Sequence, residues 1–489
     1  MTFQLTQIDF QTILPSMIMF GMGMVVLLLE TLRRSGSTTP LAVVSLLSLA
    51  AAGYASAVQL GWGGQGFSGS VIADDFSLAF NLVFVTATAL VILISIPYLE
   101  KSGLKYGEYY ALLLFATGGM MVMGSSLDLL MIFVGLEILS ISSYILCGML
   151  RADVRSNESA MKYFLLGAFA TGFLLYGMVM IYGATGTIHL RKIGAALAQP
   201  EMYSNPYIWF GMGLLIVGFG FKLALAPFHM WTPDVYEGAP TAVTAFLSVG
   251  PKAAGFAALI RVMIEGLGRM HNEWDMVFWV LAALTMTLGN VVAIQQNNIK
   301  RMLAYSSIAH AGYILAALVV ATEEGLGAIL FYSLVYVFMN IGVFAILILA
   351  ATPKNERLTF DDYKGFGYVS PLLGLAMFVF MLSMMGIPLT GGFVGKFQIF
   401  KAVVDQGYIW LAIVGVLNSV VSVYYYLRIV VVMYMQPQDS KSINEKPPFS
   451  LPLAVAITAS LAGVVFLGIL PAGWMEFSSH SVSVLVASF

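Results

Sequence analysis

The sequence predicts an all-α polytopic membrane protein of about fourteen transmembrane helices, and three observations carry that reading. Of its 489 residues 59% are hydrophobic and only 10% charged, against roughly 25% charged in a soluble domain. The apolar residues form continuous runs near the ~20 residues that a membrane helix needs, not the alternation of a membrane barrel. The 48 glycines and 29 methionines suit helices that pack closely in a bilayer. Together these exclude a soluble enzyme, a disordered chain and a protein with a single anchor.

The runs place spans at 11–32, 40–60, 76–97, 108–124, 127–149, 159–182, 207–227, 240–264, 275–295, 301–321, 325–350, 370–398, 408–434 and 451–470. Span seven meets Pro227 and then Pro233, and span twelve contains Gly386, Pro388, Gly391, Gly392 and Gly395. Both are predicted to be broken helices, because proline removes a backbone donor and clashes with the preceding turn. In lipid a break survives only inside protein or beside water. Paired breaks in two halves point to a transport site, and a plain kink is the alternative. Glu137-Ile-Leu-Ser-Ile-Ser-Ser-Tyr144-Ile-Leu in span five matches Ser306-Ser-Ile-Ala-His-Ala-Gly-Tyr313-Ile-Leu in span ten at a constant offset of 169. Those spans run in opposite directions, as in two inverted five-helix repeats. The expected division is 1–106 for three N-terminal helices, 107–270 for the first repeat (spans four to eight), 271–436 for the second, inverted repeat (spans nine to thirteen) and 437–489 for a C-terminal helix.

Loop charge sets the orientation. With both termini outside, 14 basic residues fall in inside loops, Lys300 and Arg301 among them. Five fall outside: Arg191, Lys192, Arg261, Arg269 and Lys401. This is a clear positive-inside bias. The N-terminus lacks the basic region and cleavage site of a signal peptide, so insertion by the spans themselves is expected. The net charge of -2 offers nucleic acid no basic field. The single cysteine, Cys147, excludes a disulfide framework, an iron–sulfur cluster and a cysteine zinc site. His189, His271 and His480 read as surface residues. There is no metal-ligand spacing, phosphate-cradling loop, dinucleotide fingerprint or haem pattern, so no cofactor, metal or redox centre is expected on this chain.

Four basic residues remain, all within spans: Lys162, Lys222, Lys252 and Lys396. Each costs about 2.5–3.5 kcal/mol near mid-membrane on insertion scales. Burial disfavours the charged form of a lysine and a nearby carboxylate favours it, so a lysine between these pulls can exchange protons. Glu137 is the acid deep in span five, and Lys222 is its expected partner. A static ion pair that locks two helices is the other reading. Lys252, a dozen residues inside span eight, reads as a central proton carrier. Lys396 follows the span-twelve break, with snorkelling to the surface as the alternative. His310, His229 and the i, i+4 pair Glu158/Lys162 are candidate relays, because unperturbed histidine titrates near neutral pH.

The stretch Lys222-Leu-Ala-Leu-Ala-Pro-Phe-His229-Met-Trp-Thr-Pro-Asp-Val-Tyr-Glu-Gly-Ala-Pro240-Thr resembles the span-seven to span-eight motif of the antiporter-like subunits of respiratory complex I, the proton-pumping NADH:quinone oxidoreductase. The stretches around Lys252, His310 and Lys396 are similar to that family as well, and the resemblance runs nearly end to end. Asp234-Val235-Tyr236 stands where sister subunits and cation/proton antiporters usually read Asp-Ala-His. That difference, and Lys396 in place of the glutamate of the subunit M group, point to the bacterial subunit N group. The long terminal helix of subunit L is absent, and the span count exceeds that of the shortened mitochondrial counterpart.

The resemblance implies a proton-translocating subunit in a bacterial cytoplasmic (inner) membrane, driven by quinone reduction in other chains. NADH, FMN, iron–sulfur clusters and quinone would then belong to the complex, and the partners would be other membrane subunits, sister antiporter-like chains included. It implies Glu137 and Lys222 as the coupling pair, Lys252 as the central carrier and Lys396 toward the outlet. The expected path is inside water, Lys222/Glu137, Lys252, His310 with bound water, Lys396, outside water. A cation/proton antiporter subunit and a non-pumping structural subunit are the rival readings.

Overall fold

The computed structural model describes residues 6–33, 36–352, 356–439 and 442–486. Arg34, Lys354 and Lys441, which the loop-charge count includes, lie outside them. Three long helices come first: α1 (Leu14–Leu32), α2 (Thr39–Val58) and α3 (Asp75–Ser102). The next group is α4 (Glu108–Ser125), α5 (Leu129–Cys147), α6 (Val154–Thr185), α7 (Pro206–Leu223), the short α8 (Trp231–Gly238) and α9 (Thr241–Arg261). Then follow α10 (His271–Ile294), α11 (Ile299–Val319), α12 (Glu323–Ala350), α13 (Pro371–Met385), α14 (Gly391–Asp405) and α15 (Ile409–Met435). Last come α16 (Leu451–Ile469) and α17 (Ala472–Val486).

Among the described residues 12 helices are long and apolar enough to cross a membrane, and the apolar α13 is shorter. The protein is an all-α multi-pass membrane protein. Two of the fourteen expected spans fall outside that set. The span at 108–124 is α4, whose first turn carries Glu108, Tyr109 and Tyr110. The span at 370–398 is divided between α13 and α14.

A helix that is apolar on every side must be surrounded. Nearly all of α9, α11 and α12 is buried, and these three form the centre. The outer helices bury one face and turn Leu28, Phe169, Phe210 and Trp410 outward, where lipid would cover them.

α7 stops where Ala224 takes a left-handed conformation, and the chain turns before α8 begins at Trp231. α13 stops at Gly386 (φ 85°), and α14 starts after Thr390. Gly392 holds these two pieces together: a Cβ there would run into the carbonyl oxygen of Ser383. Only glycine permits that approach.

The chain also repeats its own local contacts. Asp128 caps α5 and pairs with His189, and Asn298 caps α11 and pairs with Thr359. The bond Leu129 N–H to Ile188 O (3.0 Å) has its counterpart in Ile299 N–H to Leu358 O (2.7 Å). Gly119 packs against the backbone of Gly135 and Leu139, as Gly289 does against Tyr305 and Ala309. All these pairs share a single spacing along the chain, one position longer than the offset read from the Tyr144/Tyr313 match.

Candidate functional site

Lys222 lies in the last turn of α7, where the helix dipole favours a cation. It is 5% exposed. Its Nζ donates to Ser140 Oγ (3.0 Å) and stands 5.9 Å from the Tyr163 ring centre. Ser140 is three residues beyond Glu137 on α5, and so on the same side of that helix. Glu137 is half-buried and accepts from Thr171 Oγ1 of α6 (2.9 Å). The expected Glu137–Lys222 ion pair is therefore not closed in this structure; each group holds a neutral hydroxyl instead. Lys222, Ser140 and Thr171 line one small cavity.

Lys252 of α9 is buried and donates to the carbonyl of Ser307 on α11 (2.7 Å). It shares a second small cavity with Ser307, His310, Ser333 and Tyr336. His310 is 1% exposed, and both ring nitrogens are bonded. Nδ1 lies 2.7 Å from Tyr332 Oη of α12, and Nε2 lies 2.9 Å from Tyr426 Oη of α15. Tyr426 continues to Ser306 through a short hydrogen bond. The hydroxyls of Ser307 and Tyr336 are buried and have no protein partner.

Lys396 of α14 is 4% exposed and reaches back to the end of α13. Nζ donates to the carbonyls of Met384 (3.0 Å) and Met385 (3.1 Å) and to Ser419 Oγ (2.9 Å). Final-turn carbonyls lack helical partners, so the break in span twelve creates the acceptors that hold this lysine. Nζ also lies 4.6 Å from the centre of the Tyr313 ring. Tyr313 Oη accepts from Asn290, whose Oδ1 accepts from Tyr425.

The remaining candidates lie elsewhere. Lys162 bonds Glu158 (2.7 Å) and Asp234 (2.8 Å), and Asp234 also meets Arg301 (2.9 Å), which meets Glu237 (2.9 Å). This partly exposed chain ties α6 to α8 and α11. Nine residues of α6, about 13 Å, separate Lys162 from Thr171, so the pair does not join Glu137. His229 sits half-buried in the turn between α7 and α8 with an unpartnered Nδ1.

Three sequence readings are corrected. Arg261 and Lys300, counted as loop residues, are both 0% exposed. Arg261 is held by Asp74 (2.5 Å), Glu265 (2.6 Å) and the Gly124 carbonyl (3.0 Å), while Arg191 joins through Glu265 (2.7 Å). Lys300 donates to the Ala239 carbonyl (2.7 Å) and lies 3.7 Å from Glu356. His189 and His271 are half-buried and bonded to the carbonyls of Gly69 (3.1 Å) and Val319 (2.9 Å), so only His480 is a plain surface residue of the three. Among the described residues no group of His, Cys, Asp and Glu could hold a metal ion.

The family described as NADH:quinone oxidoreductase/Mrp antiporter, TM matches residues 126–422. NADH-quinone oxidoreductase subunit N of Trichlorobacter lovleyi is 48% identical over 98% of each chain. A chain of respiratory complex I from Thermus thermophilus with bound Aureothin superposes with a TM-score of 0.80 at 34% identity, covering 94% of this chain and 98% of that one. A chain of the Mrp complex from Dietzia sp. shares the fold at 21% identity, with a TM-score of 0.85 over 99% of this chain and 98% of that one. The chain belongs to the NADH:quinone oxidoreductase/Mrp antiporter membrane-subunit family, and within it to the subunit N group.

Proposed function

We propose that this chain is a proton-translocating membrane subunit of an NADH:quinone oxidoreductase in a bacterial cytoplasmic membrane. Quinone reduction in partner chains drives it, and other membrane subunits, sister antiporter-like chains included, flank it. Glu137 and Lys222 are the coupling pair, and the three carriers are Lys252, His310 and Lys396.

One observation carries the reading. Lys222, Lys252 and Lys396 are each at most 5% exposed, yet among the described residues none has a carboxylate within 4.0 Å. Each donates to neutral oxygens only. A buried charge kept for structure is paired. A buried lysine with neutral acceptors is one that can shed its proton without stranding a counter-ion. The cavity between Lys252 and His310 has a volume of about 10 Å³, near the limit for one water. A water there would join the unpartnered Ser307 and Tyr336 hydroxyls to both carriers. The equally spaced contacts of the two halves support an inverted-repeat origin for 107–270 and 271–436.

The experiment is Lys222→Ala and Lys252→Ala in the assembled complex, with protons moved per NADH oxidised measured in proteoliposomes. Loss of a fraction of that ratio is expected. Two variants that assemble and pump like the parent overturn the reading.

A further inference from the structure

The three carriers leave open where protons join the series, and a feature outside them answers it. A polar vestibule of about 1130 Å³ opens between the ends of α3, α5, α6 and α12, beside Lys101, Arg151, Asp153 and Arg155. Glu356 lines it with a side chain 32% exposed. Oε1 of Glu356 accepts from Tyr98 Oη of α3 (3.2 Å) and from Thr241 Oγ1 of α9 (3.2 Å). Oε2 faces Lys300 Nζ at 3.7 Å. The carboxylate thus has water on one side and a fully buried ammonium on the other.

We propose that Glu356 and Lys300 form the inlet through which protons from the vestibule reach Lys252. The inference rests on the proton-translocating reading above.

The contact is built unlike a structural pin. Its 3.7 Å separation is too long for a direct hydrogen bond, so the two groups face each other without being pinned. Lys300 occupies the first turn of α11, where the helix dipole opposes a cation, and its Nζ is steadied by the Ala239 carbonyl at 2.7 Å. Ser307 is seven residues further along α11, two turns or about 10 Å away on the same face. Its carbonyl already holds Lys252 Nζ. A single helix face therefore runs from the inlet to the central carrier. The surroundings of Lys222 are closed by contrast: Tyr163 stacks on Trp231 with ring centres 4.5 Å apart, and Phe221 packs on the same ring. Glu137 and Lys222 then stand beside the route as the coupling pair. The Lys300 ammonium gives its proton on toward Lys252, the Glu356 carboxylate takes a proton from the water of the vestibule, and the resulting carboxyl returns it to the Lys300 amine, so both groups end as they began.

The test uses the whole complex in proteoliposomes and reads protons moved per NADH oxidised. Glu356→Gln and Lys300→Met are each expected to lower that ratio by the same fraction as Lys252→Met. The double variant Lys300→Met/Lys252→Met should lose no more than either alone, because steps on one path do not add. Glu356→Asp is expected to recover at least half of the loss. If Glu356→Gln and Lys300→Met pump like the parent while Lys252→Met does not, the inlet is elsewhere and the carrier series stands. If Lys252→Met also pumps normally, the carrier series itself fails. Should Glu356→Gln not assemble, Thr241→Val reads the same contact. It removes one hydroxyl from Glu356 and keeps the charge; a partial loss supports the inlet, and an unchanged ratio overturns it.

Discussion

Lys222 and Glu137 each bond a hydroxyl and not one another: the ammonium donates to Ser140 Oγ at 3.0 Å and the carboxylate accepts from Thr171 Oγ1 at 2.9 Å. Under the proposed coupling role this arrangement is the open state, and closing the pair requires Glu137 to leave Thr171. A hydrogen bond to a charged group is worth about 1.5–3 kcal/mol, so Thr171→Val should shift the balance toward the closed pair by roughly tenfold or more. The expected result is a complex that still reduces quinone but pumps less, with Glu137→Gln/Thr171→Val no worse than Glu137→Gln alone. Additive losses would show that Thr171 acts elsewhere.

His310 is fixed at both nitrogens by Tyr332 and Tyr426. Replacing either hydroxyl frees one nitrogen without opening a cavity, since phenylalanine keeps the ring. Tyr426→Phe is expected to remove part of this subunit's share of the protons pumped while thermal stability in detergent falls by about 1 kcal/mol. His310→Ala should abolish the subunit's share. Equal loss of stability and pumping in Tyr426→Phe would assign the tyrosine a structural part only.

Much of this was legible in the sequence, and what was missed shares one cause. The spans could be read because apolar runs are local, and the gap between α13 and α14 falls where Gly386 and Pro388 stand. The four in-span lysines stood out because charge is rare in such runs. Arg261 and Lys300 were misread because a basic residue near a span end looks the same whether it meets water or a partner. Asp74 and Glu356 lie far off along the chain, and no local pattern announces them; only Glu265, four residues after Arg261, was there to be read as its helical neighbour. The hydroxyls that hold Lys222 and His310 were hidden for the same reason, since Ser140 and Tyr426 look like ordinary helix residues. The local contacts that recur do so at a spacing one residue longer than the Tyr144/Tyr313 likeness gives, and the caps Asp128 and Asn298 that mark it have side chains that differ.

Gly392 makes the site at Lys396 geometrically possible. Because a Cβ there would overlap Ser383 O, Gly392→Ala must push α14 away from α13. The three bonds of Lys396 to Met384, Met385 and Ser419 would then lengthen. Overpacking of this kind costs about 1–3 kcal/mol, so a lower thermal midpoint is expected together with reduced pumping. Gly21→Ala, at a position with open space, serves as the control and should change neither. A Gly392→Ala complex as stable as the parent would mean that the two half-helices separate freely.

Arg261 offers the sharpest test of the buried network, because the two possible substitutions separate charge from geometry. Removing the guanidinium in Arg261→Ala strands the carboxylate of Asp74, 3% exposed in its side chain, and leaves Glu265 with Arg191 alone. Breaking one partner out of a buried ion cluster costs about 3–5 kcal/mol, enough to deplete assembled complex in the membrane. Arg261→Lys keeps the charge but loses the fork that serves Asp74, Glu265 and the Gly124 carbonyl at once, so an intermediate loss is expected. Asp74→Asn in the Arg261→Ala background should recover part of the loss by removing one stranded charge. These levels are measured by quantifying assembled complex and its thermal midpoint in detergent. If Arg261→Ala assembles at parental levels, α3 and α9 are held by their apolar contacts alone and the network contributes no stability.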